Sequence, residues 1–428
     1  MYMGEVFHNW AGNQAAEPAE VRRPASVDDV VLAVRDAAAS GRRVRMTGAG
    51  HSFTGAALTD GILLRPDALT GILATGDDWI RVAAGTPLHV LNEELHRRGL
   101  ALANMGDITA QTVAGAIQTG THGSGRDIAG LADQVIGLEM VLADGSVTRV
   151  ETGDLLDAAR VGLGALGVLT EITFRVVPTF LMRTVRRPMR FGDVLAALDE
   201  LTAVNEHLDF FWFPHTDACL TKRHNRSPGP IERSSAFREW LDNRFLENTL
   251  FGVLCGIGAR LPRLIPPINR LSGSALSAAT YTDVSHRIFA TVRDVRFLEM
   301  EYAIPREHLG VALREVRDVI DRSDWKIGFP VEVRVAPPSD AWLSAAYGRD
   351  TAYLAFHVYR PTPNPAYFAA METIMTGLGG RPHWGKLHTR DAAYAATVYP
   401  KFADFSALRD KLDPGRRFGN AYLDTVLG

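Results

Sequence analysis

Residues 43–55, from Arg43 to Gly55, read R-V-R-M-T-G-A-G-H-S-F-T-G. Val44 and Met46 alternate with Arg43 and Arg45, the period of a half-buried strand. The chain then breaks into Gly48, Ala49 and Gly50, with His51 at the lip of the turn. Successive backbone N–H groups in such a turn form a nest for a phosphate. Glycine permits the close approach and the positive φ that this needs. The stretch is not a Walker loop, because no Gly-Lys-Ser/Thr follows. As a dinucleotide fingerprint it is poor: Phe53 stands where the third glycine belongs, and no helical pattern begins there. On pattern alone it reads as a phosphate nest or as a plain glycine turn between two strands.

Working outward, 428 residues suggest two or three domains' worth of core. Hydrophobic content of 46% and charged content of 22% suit a globular protein. A formal net charge of −3 leaves no footprint for nucleic acid or an anionic membrane. Cys219 and Cys255 have no metal spacing and read as small core residues. The start M-Y-M-G-E-V-F-H-N-W carries no secretory pattern, and the apolar run Leu250–Ala259 is too short to span a bilayer. The expectation is a cytoplasmic protein without a transmembrane segment.

Ser26-Val27-Asp28-Asp29 opens a helix with a capping-box pattern, and Gly41 closes it. Strands are predicted at Ile62–Leu64 and Ile80–Ala84. Thr86-Pro87 starts a helix that Gly99 stops. Val135–Leu142 and Val147–Val150 flank Asp144-Gly145, a hairpin signal. Val168–Val177 reads as a long strand closed by Pro178. Beyond it come a helix over Val194–Val204, a strand over Leu208–Phe213, and an irregular 225–278 with no legible order. Strand-like character returns over Val292–Tyr302. Pro305 starts a helix reaching about Arg322, and a last helix covers Tyr367–Thr376. In Val331-Glu332-Val333-Arg334-Val335 the period of two puts Glu332 and Arg334 on one face. In Ala355-Phe356-His357-Val358-Tyr359, His357 and Tyr359 share a face. If the two strands are neighbours, these four side chains form a patch able to hydrogen-bond a polyhydroxylated ligand. The plain alternative is the solvated face of an antiparallel sheet.

Three further stretches bear on the choice: Gly120-Thr121-His122-Gly123-Ser124-Gly125, then Arg381-Pro382-His383-Trp384-Gly385-Lys386, then Phe418-Gly419-Asn420-Ala421-Tyr422-Leu423. With the G-A-G-H-S-F turn, in this order, the chain resembles the aldonolactone oxidoreductases of the vanillyl-alcohol oxidase flavoprotein family. That branch includes L-gulono-1,4-lactone oxidases and dehydrogenases, D-arabinono-1,4-lactone oxidases and, further off, alditol oxidases. The resemblance runs from about Asn9 to the C-terminus. The run Glu299–Glu307 (E-M-E-Y-A-I-P-R-E) with R-P-H-W-G-K points toward the actinobacterial L-gulono-1,4-lactone type.

The resemblance implies an α+β, two-domain FAD-binding fold. Residues 1–178 would bind FAD and 179–428 would form a mixed α+β cap, with about the last twenty residues returning to the FAD domain. The diphosphate is expected at Thr47, Gly48, Ala49, Gly50, His51, Ser52 and Phe53, and at Gly120, Thr121, His122, Gly123 and Ser124. Gly115 and the backbone near Ile172 are expected to meet the cofactor too, the latter at its adenine end. His51 would bond covalently to the 8α-methyl of FAD, and His383 would lie against the flavin. Gly106 stands where a bulkier residue shields the flavin from oxygen in dehydrogenases, so it leans toward an oxidase. Glu332, Arg334 and His357 match the substrate floor, and Lys386 would stabilise negative charge on flavin and substrate. Tyr359 and Asp107 also fall in the substrate site; both depart from the hydroxyl residues of alditol oxidases. The implied reaction is oxidation of a secondary hydroxyl of an aldono-1,4-lactone, with oxygen or another acceptor taking the electrons. An alditol or other sugar oxidase of the same fold and a non-catalytic flavin-binding protein remain alternatives. No metal is expected.

Overall fold

The computed structural model describes residues 6–233, 249–291 and 293–428. Ser26 and Asp29 make the reciprocal capping box expected of them, and the helix runs Val27–Ala39. It buries Val30, Val34 and Ala37 against a three-stranded parallel sheet of Glu20–Arg22, Ile62–Leu64 and Val44–Met46. Beside it stands a five-stranded antiparallel sheet in the order Val147–Val150, Val135–Val141, Val168–Arg175, Trp79–Ala83, Ile72–Thr75. Gly145 has φ +81° in the hairpin turn, as the Asp-Gly signal requires.

The second half is organised on one eight-stranded antiparallel sheet. Its order is Ala279–Val284, Leu181–Arg190, Ala218–Ser227, His207–Trp212, Val331–Ala336, Thr351–Tyr359, Phe297–Pro305, Arg381–Pro382. Helices Leu309–Arg322 and Pro365–Gly377 cover one face, burying Leu313, Val316, Tyr367 and Met371 with Val331, Val333, Leu354 and Phe356. The opposite face is polar and looks toward the first half.

Several expectations need correction. Three strands of this sheet, Leu181–Arg190, Ala218–Ser227 and Ala279–Val284, carry no legible strand signal, because their inward face is polar and apolar alternation is missing. The unordered 225–278 contains the end of one strand and helices Phe251–Arg260 and Ile265–Ser274; its 234–248 lies outside the described residues. The strand placed at Val292–Tyr302 is Phe297–Pro305, with Val292 outside the described residues. The Val194–Val204 helix is two, Phe191–Ala196 and Leu198–Val204. The return to the first half is longer than twenty residues: Trp384, Tyr399, Phe405, Phe418 and Leu423 all pack into its core.

Arg45 corrects the opening reading of a half-buried strand. It is 5% exposed and donates to the carbonyls of Ala56, Leu163, Gly164 and Phe418 at 2.5–3.1 Å. Beside it, Asn420 donates to the carbonyls of Gly55 and Leu58, and the Val44 amide donates to Arg417. The C-terminal motif thus clamps the loop that follows the glycine turn. Arg45→Ala leaves those carbonyls buried and unpaired, and is expected to cost about 3–5 kcal/mol. Urea unfolding of the purified protein checks this; a loss under about 1 kcal/mol would remove Arg45 from this role.

Candidate active site

The strand Val44–Met46 delivers the chain to Thr47, whose amide donates to Leu64. After it, the amides of Gly48, Ala49, Gly50, His51 and Ser52 donate to no acceptor among the described residues. Phe53 ends this row by donating to Gly385 at 2.7 Å. Gly50 has φ +72°. A Cβ on Gly48 would lie 2.4 Å from Thr112 Oγ1, so only glycine allows the approach to the segment Thr112–Gly115. The row lines a narrow cleft with Gln111, Thr112, Gly115 and Gln118 on the far side. A run of unpaired main-chain donors in a cleft too tight for side chains is what a phosphate chain requires, and FAD fits this donor set.

The second glycine turn does not line that cleft. Gly120, at φ +77°, turns the chain away toward the large sheet, where the Gly125 amide donates to Val335. Gly123 is needed for packing: a Cβ there would lie 2.4 Å from the Met105 carbonyl. Gly123 and Ser124 border a different cavity, described below. Nor does Ile172 meet the cleft. It is fully buried in a strand paired on both edges, with Val82 and Leu138, so its backbone groups are taken; Gly167, Val168 and Leu169 border the cleft instead.

At His51 and Ser52 the cleft opens into a cavity of about 390 Å³. Trp10, unanticipated from sequence, stacks on His51 with ring centres 5.6 Å apart. The cavity's floor is the polar face of the large sheet. Val331–Ala336 and Thr351–Tyr359 are neighbours, with Glu332 opposite Ala355 and Arg334 opposite Tyr353. His357 lies opposite Glu299, and Ala355 opposite Glu301. Residues opposite one another in a sheet share a face, so Glu332, Arg334, His357, Glu299 and Glu301 point the same way. Tyr359 sits at the strand's end in a separate cavity beneath Phe251–Arg260.

Lys386 reaches this floor from the turn after Arg381–Pro382. Its Nζ pairs with Glu299 Oε2 and lies 5.2 Å over the Phe53 ring. Burial pulls its ammonium down, but Glu299 and Glu301 outweigh that and raise it above the ordinary lysine value. The other oxygen of Glu299 is 3.5 Å from His357 Nε2. One buried carboxylate therefore joins two side chains that the sequence suggested separately. Glu299 was read there only as part of a run typical of the branch.

On the opposite wall, Asp107 accepts from Arg293 at 2.8 Å and Thr291 at 3.1 Å and lies 3.6 Å from Arg334. Glu332 Oε1 is 2.7 Å from Arg334. Burial would raise the Asp107 carboxyl, but Arg293 and Arg334 hold it well below the usual carboxylate range. Gly106 has a packing role, since a Cβ there would lie 2.9 Å from Thr121 Cγ2. Thr121 in turn bonds Gln111.

His122, Glu301 and His383 form a buried group with ligand-type atoms within 4.8 Å of one another. His122 faces Gly123 O at 3.0 Å and Glu301 Oε1 at 3.0 Å, and its ring stacks on Tyr353. Both ring nitrogens of His122 thus face an oxygen of the protein. His383 Nδ1 accepts from the Gly385 amide.

Burial, reinforced by Lys386, pushes the His51 imidazole down to about 4. Burial likewise takes His383 to about 3 and His388 to about 4. These rings stay neutral in the folded chain, whereas the unfolded chain gains protons as pH falls through about 6.5. Stability is therefore expected to fall from about pH 6.5 downward. The depressed carboxylates Asp107, Glu299 and Glu301 lose their contribution only below about 4.5. Thermal midpoints between pH 7 and 4.5 check this (~2.5 pH units); a flat profile, or one that His388→Gln leaves equally steep, would contradict it.

Comparison with known proteins agrees with this architecture. A family of FAD binding domains matches residues 18–151, and the D-arabinono-1,4-lactone oxidase family matches 172–426. The L-gulono-1,4-lactone dehydrogenase of Mycobacterium tuberculosis is 40% identical over 100% of both chains. The L-gulonolactone oxidase of Scyliorhinus torazame is 34% identical over 99% of this chain and 98% of its own. The alditol oxidase of a Streptomyces species is 33% identical over 99% and 100%. Cholesterol oxidase from B. sterolicum superposes with a TM-score of 0.82 at 17% identity, covering 99% of this chain and 97% of its own, which places the fold among two-domain α+β FAD-binding flavoenzymes. The polar sheet face, the cleft of unpaired amides and these matches over the whole chain lead to one assignment: the chain belongs to the D-arabinono-1,4-lactone oxidase family.

Proposed function

We propose that this chain is an FAD-linked oxidoreductase that oxidises a secondary hydroxyl of an aldono-1,4-lactone, of the L-gulono or D-arabinono type, at C2. The carrying observation is the convergence of Lys386, Glu299, His357, Glu332 and Arg334 on one cavity that opens at His51 into the cleft of unpaired amides. The family match and the names of its full-length relatives support the same class. FAD held along the row of unpaired amides would supply the hydride acceptor, with oxygen or another acceptor taking the electrons.

The chain's own residues do the rest. Glu332 and Arg334 accept from and donate to the sugar hydroxyls, and the Asp107–Arg293 pair keeps that wall in place. The hydroxyl proton passes to the His357 imidazole, with Glu299 behind it. Lys386 places a fixed positive charge beside the forming alkoxide, and such a preplaced charge stabilises the transition state. Trp10, Phe53 and Phe297 close the site from solvent on the His51 side. Residues 1–178 serve as the FAD-binding part and 179 onward as the substrate part, the chain from about Trp384 adding to the first. Glycine at position 106 supports oxygen as the electron acceptor. Turnover of L-gulono-1,4-lactone, D-arabinono-1,4-lactone and xylitol, each with oxygen and with an artificial dye acceptor, tests the reading; turnover of xylitol alone would replace the lactone by an alditol.

We further propose that His51 carries the flavin covalently. With FAD bound, the neutral imidazole at the mouth of the cleft would offer a nitrogen lone pair for the bond to the 8α carbon; that bond would replace a C–H, the proton would leave, and the two electrons would go to the flavin and on to the acceptor that reoxidises it. Acid precipitation of the holoenzyme is expected to leave the yellow colour in the pellet, and His51→Ala to release it. Colour in the supernatant of the unaltered protein would remove this role from His51.

A further inference from the structure

The polar face of the large sheet does not stop at the substrate floor. Arg334 lies opposite Asp209, Asp209 opposite Lys222, and Lys222 opposite Arg186, a row crossing three further strands. Above this row is a second cavity of about 350 Å³. Asp107, Thr291, Arg293, Glu332 and Arg334 line both cavities, so the two share one wall.

The charges of the second cavity are unevenly matched. Asp107 is taken by Arg293, Glu332 by Arg334, and Asp283 by both arms of Arg233 at 2.6 and 2.9 Å. Asp209 lies 3.6 Å from His224 and 3.7 Å from Arg334. Lys222 and Arg287 make no ion pair among the described residues; Lys222 sits 5.0 Å over the Phe211 ring, aimed along the cavity. Arg334 Nε is buried without a hydrogen bond on the shared wall, as are the acceptor atoms Glu332 Oε1 and Asp209 Oδ1. A neutral sugar has no use for this surplus of cations, whereas a phosphate or carboxylate at the far end of a sugar would satisfy it. A substrate lying on Glu332 and Arg334 touches the wall that the two cavities share.

Resting on the lactone reading, we propose that the second cavity is a subsite for an anionic terminal group, and that the preferred substrates are sugar derivatives carrying a phosphate or carboxylate at the end remote from the oxidised hydroxyl. Lys222 and Arg287 hold the anion, Phe211 and Phe289 flank the carbon chain, and the row of Asp209 and Arg334 leads back to the reacting end.

The test uses the holoenzyme and three probes: neutral sorbitol, sorbitol 6-phosphate and gluconate, titrated anaerobically by calorimetry and as inhibitors of lactone turnover. The two anionic probes are expected to bind about tenfold more tightly than sorbitol. A preference for sorbitol 6-phosphate alone assigns a phosphate, and an equal gain with gluconate assigns either anion. Lys222→Ala and Arg287→Ala are expected to abolish the gain while leaving kcat/KM for the neutral lactone within about twofold. Equal binding of all three probes, or a gain that survives both substitutions, would overturn the subsite. Because calorimetry reads binding directly, absence of lactone turnover with the anion preference intact would defeat the proposed reaction and not the subsite.

Discussion

Lys386→Met is expected to lower kcat by roughly 10²–10³-fold while flavin stays bound. The Nζ of Lys386 lines the cavity, seated between Glu299 and the Phe53 ring. A methionine keeps the length and apolar stem and removes only the charge. The substitution has a second consequence, because it strands the buried Glu299 carboxylate. Breaking one side of such a pair costs about 3–5 kcal/mol of stability. The double variant Lys386→Met with Glu299→Gln separates the two effects: stability returns, while the rate stays well below that of Glu299→Gln alone. A rate equal to that of Glu299→Gln alone would show that the lysine only balances Glu299.

Glu299→Gln alone is the second large effect, with kcat expected to fall by about one to two orders of magnitude. The carboxylate holds both Lys386 and His357, and glutamine keeps its shape without its charge. In the folded chain burial would raise Glu299, but Lys386 and His357 outweigh it and the carboxyl is held low. In return Glu299 and Glu301 keep Lys386 high. The pair therefore stays ionised from below the ordinary glutamate value, about 4.5, to beyond the ordinary lysine value, about 10.5. With Glu299 neutralised, the first of the charges that offset burial is lost and the Lys386 ammonium titrates earlier. The alkaline limb of kcat is expected to move toward neutrality, with KM little changed. A residue needed only for folding would lower the thermal midpoint without moving that limb, and an unmoved limb would contradict the assignment.

The parts of this site that sequence revealed share a physical property. Val331–Ala336 and Thr351–Tyr359 each have one face in an apolar core and the other toward the cavity, so the period of two displays Glu332, Arg334 and His357. The glycine turn at Gly48–Gly50 was legible because close approach to Thr112 excludes any side chain. Phe418–Asn420 stood out as a motif because it clamps the loop after that turn.

Other residues had no such signature. Asp107 and Arg293 meet across 186 residues of chain, from a loop and from a segment between two strands, and no periodicity announces that pair. Arg45 looked like the solvent-facing partner of Val44 because alternation cannot tell water from a row of buried carbonyls. Glu299 and Glu301 do alternate with Leu298, Met300 and Tyr302, so the signal was present in the run E-M-E-Y. It lacked meaning until the neighbouring strand put His357 opposite Glu299. The strand Ala218–Ser227, with Lys222 and His224 turned to a polar cavity, shows the limit most clearly: an inward face without apolar residues looks like a loop.

The most direct measurement is the flavin spectrum of the purified holoenzyme under anaerobic conditions, before and after adding L-gulono-1,4-lactone. The account predicts that the yellow absorbance bleaches within the mixing experiment, that a keto product appears in proportion, and that Lys386→Met slows the bleaching by about the factor given for kcat. A bound flavin whose spectrum stays oxidised with both L-gulono- and D-arabinono-1,4-lactone would contradict it.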